Sequence, residues 1–354
     1  MSTNELNDCR EFLNRRADVT LVDVRAPIEF EQGHIPGAVN IPLFDDDERA
    51  RVGTTYKQKG RRDAIRLGLD LIGPKMRSIV ESADAACGTE SEPGEILVYC
   101  ARGGMRSDSV CWLLRQADFQ ATRLIGGYKK YRQYCHSVLE QEWDLVTLTG
   151  MTGTGKTRLL QELESAGEQI VDLEGMAHHR GSAFGGIGQP QQPSTEQFEN
   201  LIFEQLITCA PERRIWVEDE SRSVGKCVIP NSFFSQLHNA PAIRIEVEVE
   251  ERLEFLVSEY GDLPKDEMVA AIERISKRLG GQHVKAAIEA LNRDDIRRCA
   301  EILLVYYDKT YGICSTKNPR ERVLPVDVST CKTQTRLERV LEAASSLGKL
   351  EANG

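Results

Sequence analysis

No segment of this 354-residue chain approaches the roughly 18 consecutive apolar residues that a bilayer-spanning helix requires. The start, Met1-Ser2-Thr3-Asn4-Glu5, also lacks the basic-then-apolar order of a secretory signal, so the sequence predicts a cytoplasmic protein with no membrane partner. Cysteines are present at 9, 87, 100, 111, 135, 209, 227, 299, 314 and 331, but no CxxC pair occurs among them. This argues against a zinc ribbon and a disulfide framework and for reduced thiols. A basic surplus is missing too: 45 Lys and Arg stand against 55 Asp and Glu, a net charge of −10. Indiscriminate nucleic-acid binding by the whole surface is thereby disfavoured, and any such contact must come from local patches. No Asn-Lys-x-Asp segment for guanine recognition occurs, which disfavours a G protein.

What is present begins with Tyr99-Cys100-Ala101-Arg102-Gly103-Gly104-Met105-Arg106-Ser107, directly after the apolar run Ile96-Leu97-Val98 and before the helical pattern Val110, Leu113, Leu114. A strand that turns into a helix through two glycines makes a ring of amides around the cysteine. With Arg102 and Arg106 nearby, that ring favours the thiolate of Cys100, while Gly103 and Gly104 let the backbone wrap an anionic centre. The alternative, a buried structural cysteine, does not explain two arginines and two glycines around it.

With Leu21-Val22-Asp23-Val24-Arg25, the run Glu29 to Pro42 containing Gly33-His34-Ile35-Pro36-Gly37, and Leu124-Ile125-Gly126-Gly127-Tyr128, the first 140 or so residues resemble the rhodanese family, in which such a cysteine carries a persulfide. Five residues separate Cys100 from Arg106, where many rhodaneses have four. The longer turn suits a tetrahedral, phosphate-sized group and hints at a phosphoryl-bearing donor. Asp23 and Arg25 are expected to pair and hold the neighbouring turns, and His34 to be a hydrogen-bonding structural group rather than a base. Between them and the cysteine lies an insertion, Asp45 to Gly94, with Arg49, Arg51, Lys57, Lys59, Arg61 and Arg62, followed by a helical stretch from Asp63 to about Ala86. The basic run reads as a solvated face or a nucleic-acid edge. Cys87, beside the polar loop 88 to 94, is incidental and Cys111 belongs to the core. Lys129, Lys130 and Arg132 form a second candidate phosphate strip.

Asp144 to Thr149 reads as a strand leading into Gly150-Met151-Thr152-Gly153-Thr154-Gly155-Lys156-Thr157, with a helical pattern after it, which satisfies the P-loop pattern in its required context. Gly150, Gly153 and Gly155 open backbone amides to a diphosphate, Lys156 neutralises its terminal phosphate, and Thr157 can ligate Mg²⁺. Arg214 to Val217 is a strand ending in acids, so Asp219 or Glu218 is the candidate for the second Mg²⁺ ligand, against the alternative of simple surface acids. The segment Asp172-Leu173-Glu174-Gly175-Met176-Ala177-His178-His179-Arg180-Gly181-Ser182-Ala183-Phe184-Gly185 has too few ligands at fixed spacing for a metal and reads as a substrate-facing loop that contacts phosphate or a base, with Arg180 and Ser182 as contacts. Ala242 to Glu248 is another strand, and from Glu250 the pattern is helical almost to Leu350. Arg274, Lys277 and Arg278, like Arg293, Arg297 and Arg298, read equally as a phosphate lid, an RNA patch or a solvated face.

The predicted fold class is α/β: a rhodanese-like domain over 1–140 and a P-loop domain with a parallel sheet and a helical C-terminal extension over 141–354. Taken in that order, with His179 to Gly185 and Val217-Glu218-Asp219-Glu220-Ser221-Arg222, these motifs resemble the tRNA 2-selenouridine synthase family over nearly the whole chain. The resemblance implies a transferase acting on the wobble 2-thiouridine of tRNAs for lysine, glutamate and glutamine. That uridine is S-geranylated from geranyl diphosphate and then given selenium from selenophosphate. It further implies that Cys100 carries selenium as a selenyl-sulfide, aided by Arg102 and Arg106, while the P-loop holds geranyl diphosphate rather than ATP. The competing readings are a sulfurtransferase or cysteine phosphatase fused to an ATP-dependent kinase-like domain, and a binding module without turnover.

Overall fold

The computed structural model describes residues 5–88, 94–317, 320 and 322–351, and the side chains of 313–317 and 348–351 are outside that description, which leaves out Cys314. The chain divides into two compact units, one of Met1–Val138 with Glu199–Glu204, the other of Leu139–Phe198 with Gln205–Gly354. The run 199–204 joins the first unit through Glu204, which pairs with Arg16 and accepts a hydrogen bond from the Tyr131 hydroxyl at 3.0 Å.

In the first unit, β1 (Glu5–Leu6), β2 (Thr20–Asp23), β3 (Val39–Asn40), β4 (Glu95–Tyr99) and β5 (Gln120–Leu124) form a sheet in the order β1-β5-β4-β2-β3, parallel throughout. Parallel strands are covered on both faces, so the central ones are continuous apolar runs: Ile96, Leu97, Val98 and Tyr99 all have zero exposure. The basic insertion is helical earlier than its sequence suggests. Helix Asp46–Lys59 carries Arg49, Arg51, Lys57 and Lys59, and helices Arg61–Ile72 and Met76–Cys87 follow it. The first of these buries no residue, so it has no apolar stripe to betray it; its start is fixed by a capping box between Asp45 and Glu48. Gly60, at φ 89, separates it from the next helix. Cys87 ends a helix, and the loop expected after it falls at 89–93, outside the described residues.

In the second unit, β6 (Leu145–Gly150), β7 (Gln169–Val171), β8 (Ile215–Glu218), β11 (Ala242–Glu246) and β12 (Val323–Asp327) form another parallel sheet in the order β12-β11-β6-β8-β7. The ribbon of β9 (Ser223–Val224) and β10 (Cys227–Val228) stands apart from it. Helices Lys156–Ser165 and Thr333–Glu351 supply Leu159, Leu160, Val340 and Ala344 to a core built on Val146, Leu148, Trp216 and Ile243. A second cluster, with Met268, Ile272, Leu291, Cys299 and Leu303, belongs to the helices from Val249–Tyr260 to Ile296–Lys317.

The helical reading of Glu250 to Leu350 is corrected at β12, which pairs with β11 from Val323 to Asp327. Only Val326 of this strand is buried, so it lacks a strand's apolar signal, and Pro325 is tolerated because β12 is at the sheet edge. The nine cysteines with described side chains are all free. Cys111 is fully buried in the core, where burial pushes its thiol up to about 12. Among the described residues no helix is long and apolar enough to cross a membrane.

Candidate active sites

Both motif loops follow the carboxyl ends of central parallel strands, where α/β sheets place their ligands. In the first unit, β4 delivers Cys100 and the chain turns through 101–104 into helix Met105–Gln116. Cys100 is 3% exposed, and its sulfur lies 3.2 Å from the Ser107 hydroxyl, which in turn is 3.2 Å from the Gly104 carbonyl. With its single proton donated to the Gly104 carbonyl, the Ser107 hydroxyl accepts from the Cys100 thiol; turned to the sulfur, the same proton serves a thiolate.

The loop is fixed from below. Amides of Tyr128 and Lys129 donate to the carbonyls of Cys100 and Ala101 at 2.8 and 2.9 Å. Gly103, at φ 59, would place a Cβ 2.5 Å from the Gly126 nitrogen, and a Cβ on Gly127 would overlap the Cys100 carbonyl oxygen. Gly103 is therefore required by the packing of one loop on another, whereas Gly104 has open space around it.

Arg102 is exposed at the mouth of the loop. Arg106 is bound to Glu29 through bonds of 2.6 and 3.2 Å. Burial works to raise the Glu29 carboxyl, but the hydrogen bonds and charge of Arg106 outweigh it and the net shift is downward. Asp23 and Arg25 pair as expected: both are buried, the guanidinium also reaches the Gly33 carbonyl at 2.6 Å, and it lies 3.9 Å above the Tyr128 ring. His34 bonds the Phe30 carbonyl at 2.9 Å and stacks on the Phe30 ring, the structural role expected of it. Of the expected phosphate strip, Lys130 binds the Asn7 carbonyl and Arg132 pairs with Glu199, which leaves Lys129 exposed.

In the second unit, the P-loop follows β6 and ends at the N-terminus of helix Lys156–Ser165. Lys156 donates to the carbonyls of Gly150 and Met151 at 3.0 and 3.3 Å. Gly153, at φ 83, lies so close to the helix Val249–Tyr260 that a Cβ would sit 3.0 Å from the Arg252 carbonyl and 3.1 Å from Leu256 Cγ. Arg252, 2% exposed, donates to the Thr152 carbonyl at 2.8 Å and is paired with Asp308, so it pins the loop.

Of the two acids that the sequence offered as partner of Thr157, the structure brings Glu218 towards it and not Asp219. Asp219 is engaged by Arg320, and the carboxylates that gather near Thr157 are Glu174, Glu218 and Glu220, with oxygens within 4.8 Å of one another. Beyond β8 the alternation of the extended chain puts 218 and 220 on one side and 219 on the other. Thr157 donates to Glu174 at 3.0 Å. Burial first, then the neighbouring carboxylates, raise Glu174 and Glu218 to about 8 and Glu220 to about 7. Both oxygens of Glu218 are buried without a hydrogen-bond partner. Orphaned carboxylate oxygens facing other carboxylates and a hydroxyl form an all-oxygen donor set that fits a hard divalent cation such as Mg²⁺. Glu174 belongs to the segment read from sequence as a substrate-facing loop with too few ligands for a metal; its partner carboxylates come from the end of β8, which the local spacing does not reveal.

The loop after Glu174 borders the same cluster: a Cβ on Gly181 would fall 2.5 Å from Glu174 and 2.8 Å from Glu220. Arg180 lies 3.2 Å from Glu259 and beside the Tyr260 ring, and the Ser182 hydroxyl accepts from the Phe184 amide at 3.2 Å. Neither reaches the carboxylates directly in the described contacts. Arg274 donates to the Ala183 carbonyl at 3.2 Å, Arg297 pairs with Glu250 and Arg298 with Glu301.

A parallel α/β domain presenting a cysteine at a strand-to-helix turn, followed in the chain by a P-loop domain with a buried acidic cluster, defines a rhodanese-type domain fused to a P-loop domain. The matching family models agree: a rhodanese-like domain over residues 6–134 and the tRNA 2-selenouridine synthase AAA domain over 143–339. The chain belongs to the tRNA 2-selenouridine synthase family. It is 36% identical over 341 residues to the tRNA 2-selenouridine synthase of Aeromonas salmonicida, covering 87% of this chain and 90% of that one. It is 34% identical to that of Nitrosomonas europaea, with 83% and 89% covered, and 38% identical to that of Pseudomonas syringae pv. tomato, with 85% and 89% covered.

Proposed function

We propose that the protein converts the wobble 2-thiouridine (U34) of tRNAs for lysine, glutamate and glutamine to 2-selenouridine by way of an S-geranyl intermediate, from geranyl diphosphate and selenophosphate. The observation that carries this reading is the presence of two separate anion-holding loops in a chain of this family, only one of which contains a thiol. In the P-loop domain, Gly150, Gly153, Gly155 and Lys156 hold the diphosphate, and Thr157 with Glu174, Glu218 and Glu220 would hold Mg²⁺, with Glu218 rather than Asp219 as the acid that follows β8. When bound, the ion neutralises charge on the departing pyrophosphate. The uridine sulfur attacks the first carbon of the geranyl group, forming a C–S bond as the C–O bond to pyrophosphate breaks.

Alkylation turns the thiocarbonyl sulfur into a leaving group, so selenium can replace it with release of geranyl thiol. Selenium enters at the selenide level: selenophosphate, held in the Cys100 loop, attacks C2 of the base through its selenium, the C2–S bond breaks as geranyl thiol leaves, and water cleaves the P–Se bond to release phosphate. Ser107, the loop amides and Arg102 stabilise the anionic donor. Arg106 contributes from its pairing with Glu29. The competing nucleotide-dependent readings are addressed by the same assay. Incubation with 2-thiouridine tRNA, geranyl diphosphate and selenophosphate, followed by digestion to nucleosides, should yield 2-selenouridine. Cys100→Ser should stop at the S-geranyl nucleoside, and Lys156→Ala should yield neither product. Equal loss of both steps in Cys100→Ser would refute separate sites, and product formation only with ATP would refute the role given to the P-loop.

A further inference from the structure

The P-loop of the second unit borders a cleft lined almost wholly by apolar side chains. Its walls come from the helices Val249–Tyr260 and Ile296–Lys317, from Met268, and from the loop carrying Ser182 and Phe184, and Thr152 of the P-loop forms its rim. Among the described residues, none of those that line it is charged. The Ser182 hydroxyl is already engaged by the Phe184 amide. The cleft begins where the phosphate cradle ends. Leu256, which lines it, packs against Gly153, and Arg252, one turn earlier on the same helix, holds the Thr152 carbonyl.

A purine or pyrimidine ring entering such a space would find for its edge donors and acceptors only the hydroxyls of Thr152, Ser182, Tyr260 and Tyr307, of which that of Tyr307 is buried without a hydrogen-bond partner. Most of those edge groups would stay unpaired, at a cost in an apolar environment. A hydrocarbon chain loses nothing there and gains from every methylene removed from water. We infer that this cleft seats the apolar chain of a diphosphate ester whose phosphates lie in the P-loop, and that Leu256, Tyr260, Ala300, Leu303 and Phe184 select for that chain. The inference rests on the proposed reading of the P-loop as a diphosphate-ester site, and adds to it the residues that distinguish a prenyl-type ester from pyrophosphate alone. Ala300 is half-buried on the wall, so a larger side chain there fills the cleft without entering the tightest core.

The test is calorimetric titration of the full chain with geranyl diphosphate, dimethylallyl diphosphate, inorganic pyrophosphate and ATP, each with Mg²⁺, in the unaltered protein and in Ala300→Phe and Leu303→Asn. In the unaltered protein geranyl diphosphate should bind at least about 30-fold more tightly than pyrophosphate, with the shorter dimethylallyl ester between them. Both variants should lose at least about 30-fold in affinity for geranyl diphosphate and keep that for pyrophosphate within about twofold, which also shows that the P-loop remains folded. Unchanged geranyl diphosphate affinity in both variants, or pyrophosphate affinity falling in parallel in both, overturns the assignment of this cleft. Binding of ATP with none of geranyl diphosphate by the unaltered protein overturns instead the reading of the P-loop on which it rests.

Discussion

Replacing Glu218 by glutamine should make the metal-free protein more stable at pH 8 and should remove its response to Mg²⁺. Glu174, Glu218 and Glu220 have oxygens within 4.8 Å of one another. At an effective dielectric constant of about 20, two charges at that separation repel by about 3.5 kcal/mol. Proton retention is the native state's way of avoiding this: Glu174 and Glu218 are raised from 4.5 to about 8, and Glu220 to about 7. With folded values above unfolded ones, the native state binds more protons than the unfolded chain between about pH 4.5 and 8, so this cluster's contribution to stability falls as pH rises through that window. Glu218→Gln deletes one charge of nearly the same shape and relieves its repulsions, while its buried amide finds only carboxylate neighbours to bond. A net gain of about 2 kcal/mol at pH 8 is expected, or roughly 4–8 °C in the melting temperature of a domain of this size. At pH 5, where the unaltered cluster is protonated, the difference should vanish. Differential scanning calorimetry of both proteins across that range, with and without millimolar Mg²⁺, measures each term. Equal melting temperatures at pH 8, or Mg²⁺ stabilising the Gln variant as much as the unaltered protein, would refute the reasoning.

Two further perturbations follow from the geometry. Arg252→Met removes the bond to the Thr152 carbonyl and leaves Asp308 without its partner, so urea unfolding should show a loss of about 3–5 kcal/mol; an unchanged midpoint would mean the pair does not hold the loop. Gly127→Ala forces a Cβ onto the Cys100 carbonyl oxygen at φ 56, and should lower stability by about 1–3 kcal/mol while displacing the cysteine loop, with selenation lost and geranylation kept. A Gly127→Ala protein with ordinary stability and full selenation would disprove the proposed support of that loop.

The parts of the fold that were legible in the sequence are those whose local chemistry is complete in a short window. Ile96 to Ser107 and Leu145 to Thr157 each contain a buried strand, its turn and the start of its helix, so no distant residue is needed to read them. Long-range pairing was not legible. Asp219 stands in the right motif, but Arg320, a hundred residues on, takes it, and Glu174 joins the cluster from the end of a different strand. The same holds for Gly103, whose necessity comes from Gly126 and Gly127 beneath it, and for β12, which is recognised as a strand through its register with β11 and not through its own alternation. Helix Asp46–Lys59 escaped for the opposite reason: it buries nothing, so its sequence carries caps but no periodic stripe.

The position of β12 also bears on how the molecule can be cut. The helices between β11 and β12 are bracketed by two strands that lie side by side, and Val326, Val328 and Val340 beyond them complete the hydrophobic packing around Trp216. They are therefore a long excursion from the sheet and not an appendage at its end. A shortened gene that stops after residue 317 would expose the flank of β11 and strip one wall from the interior, whereas replacing 249–317 with a brief linker would keep every strand. An internal deletion would thus keep the sheet but remove Arg252 and Leu256, which hold the P-loop, whereas trimming from the carboxyl terminus would unravel the sheet itself.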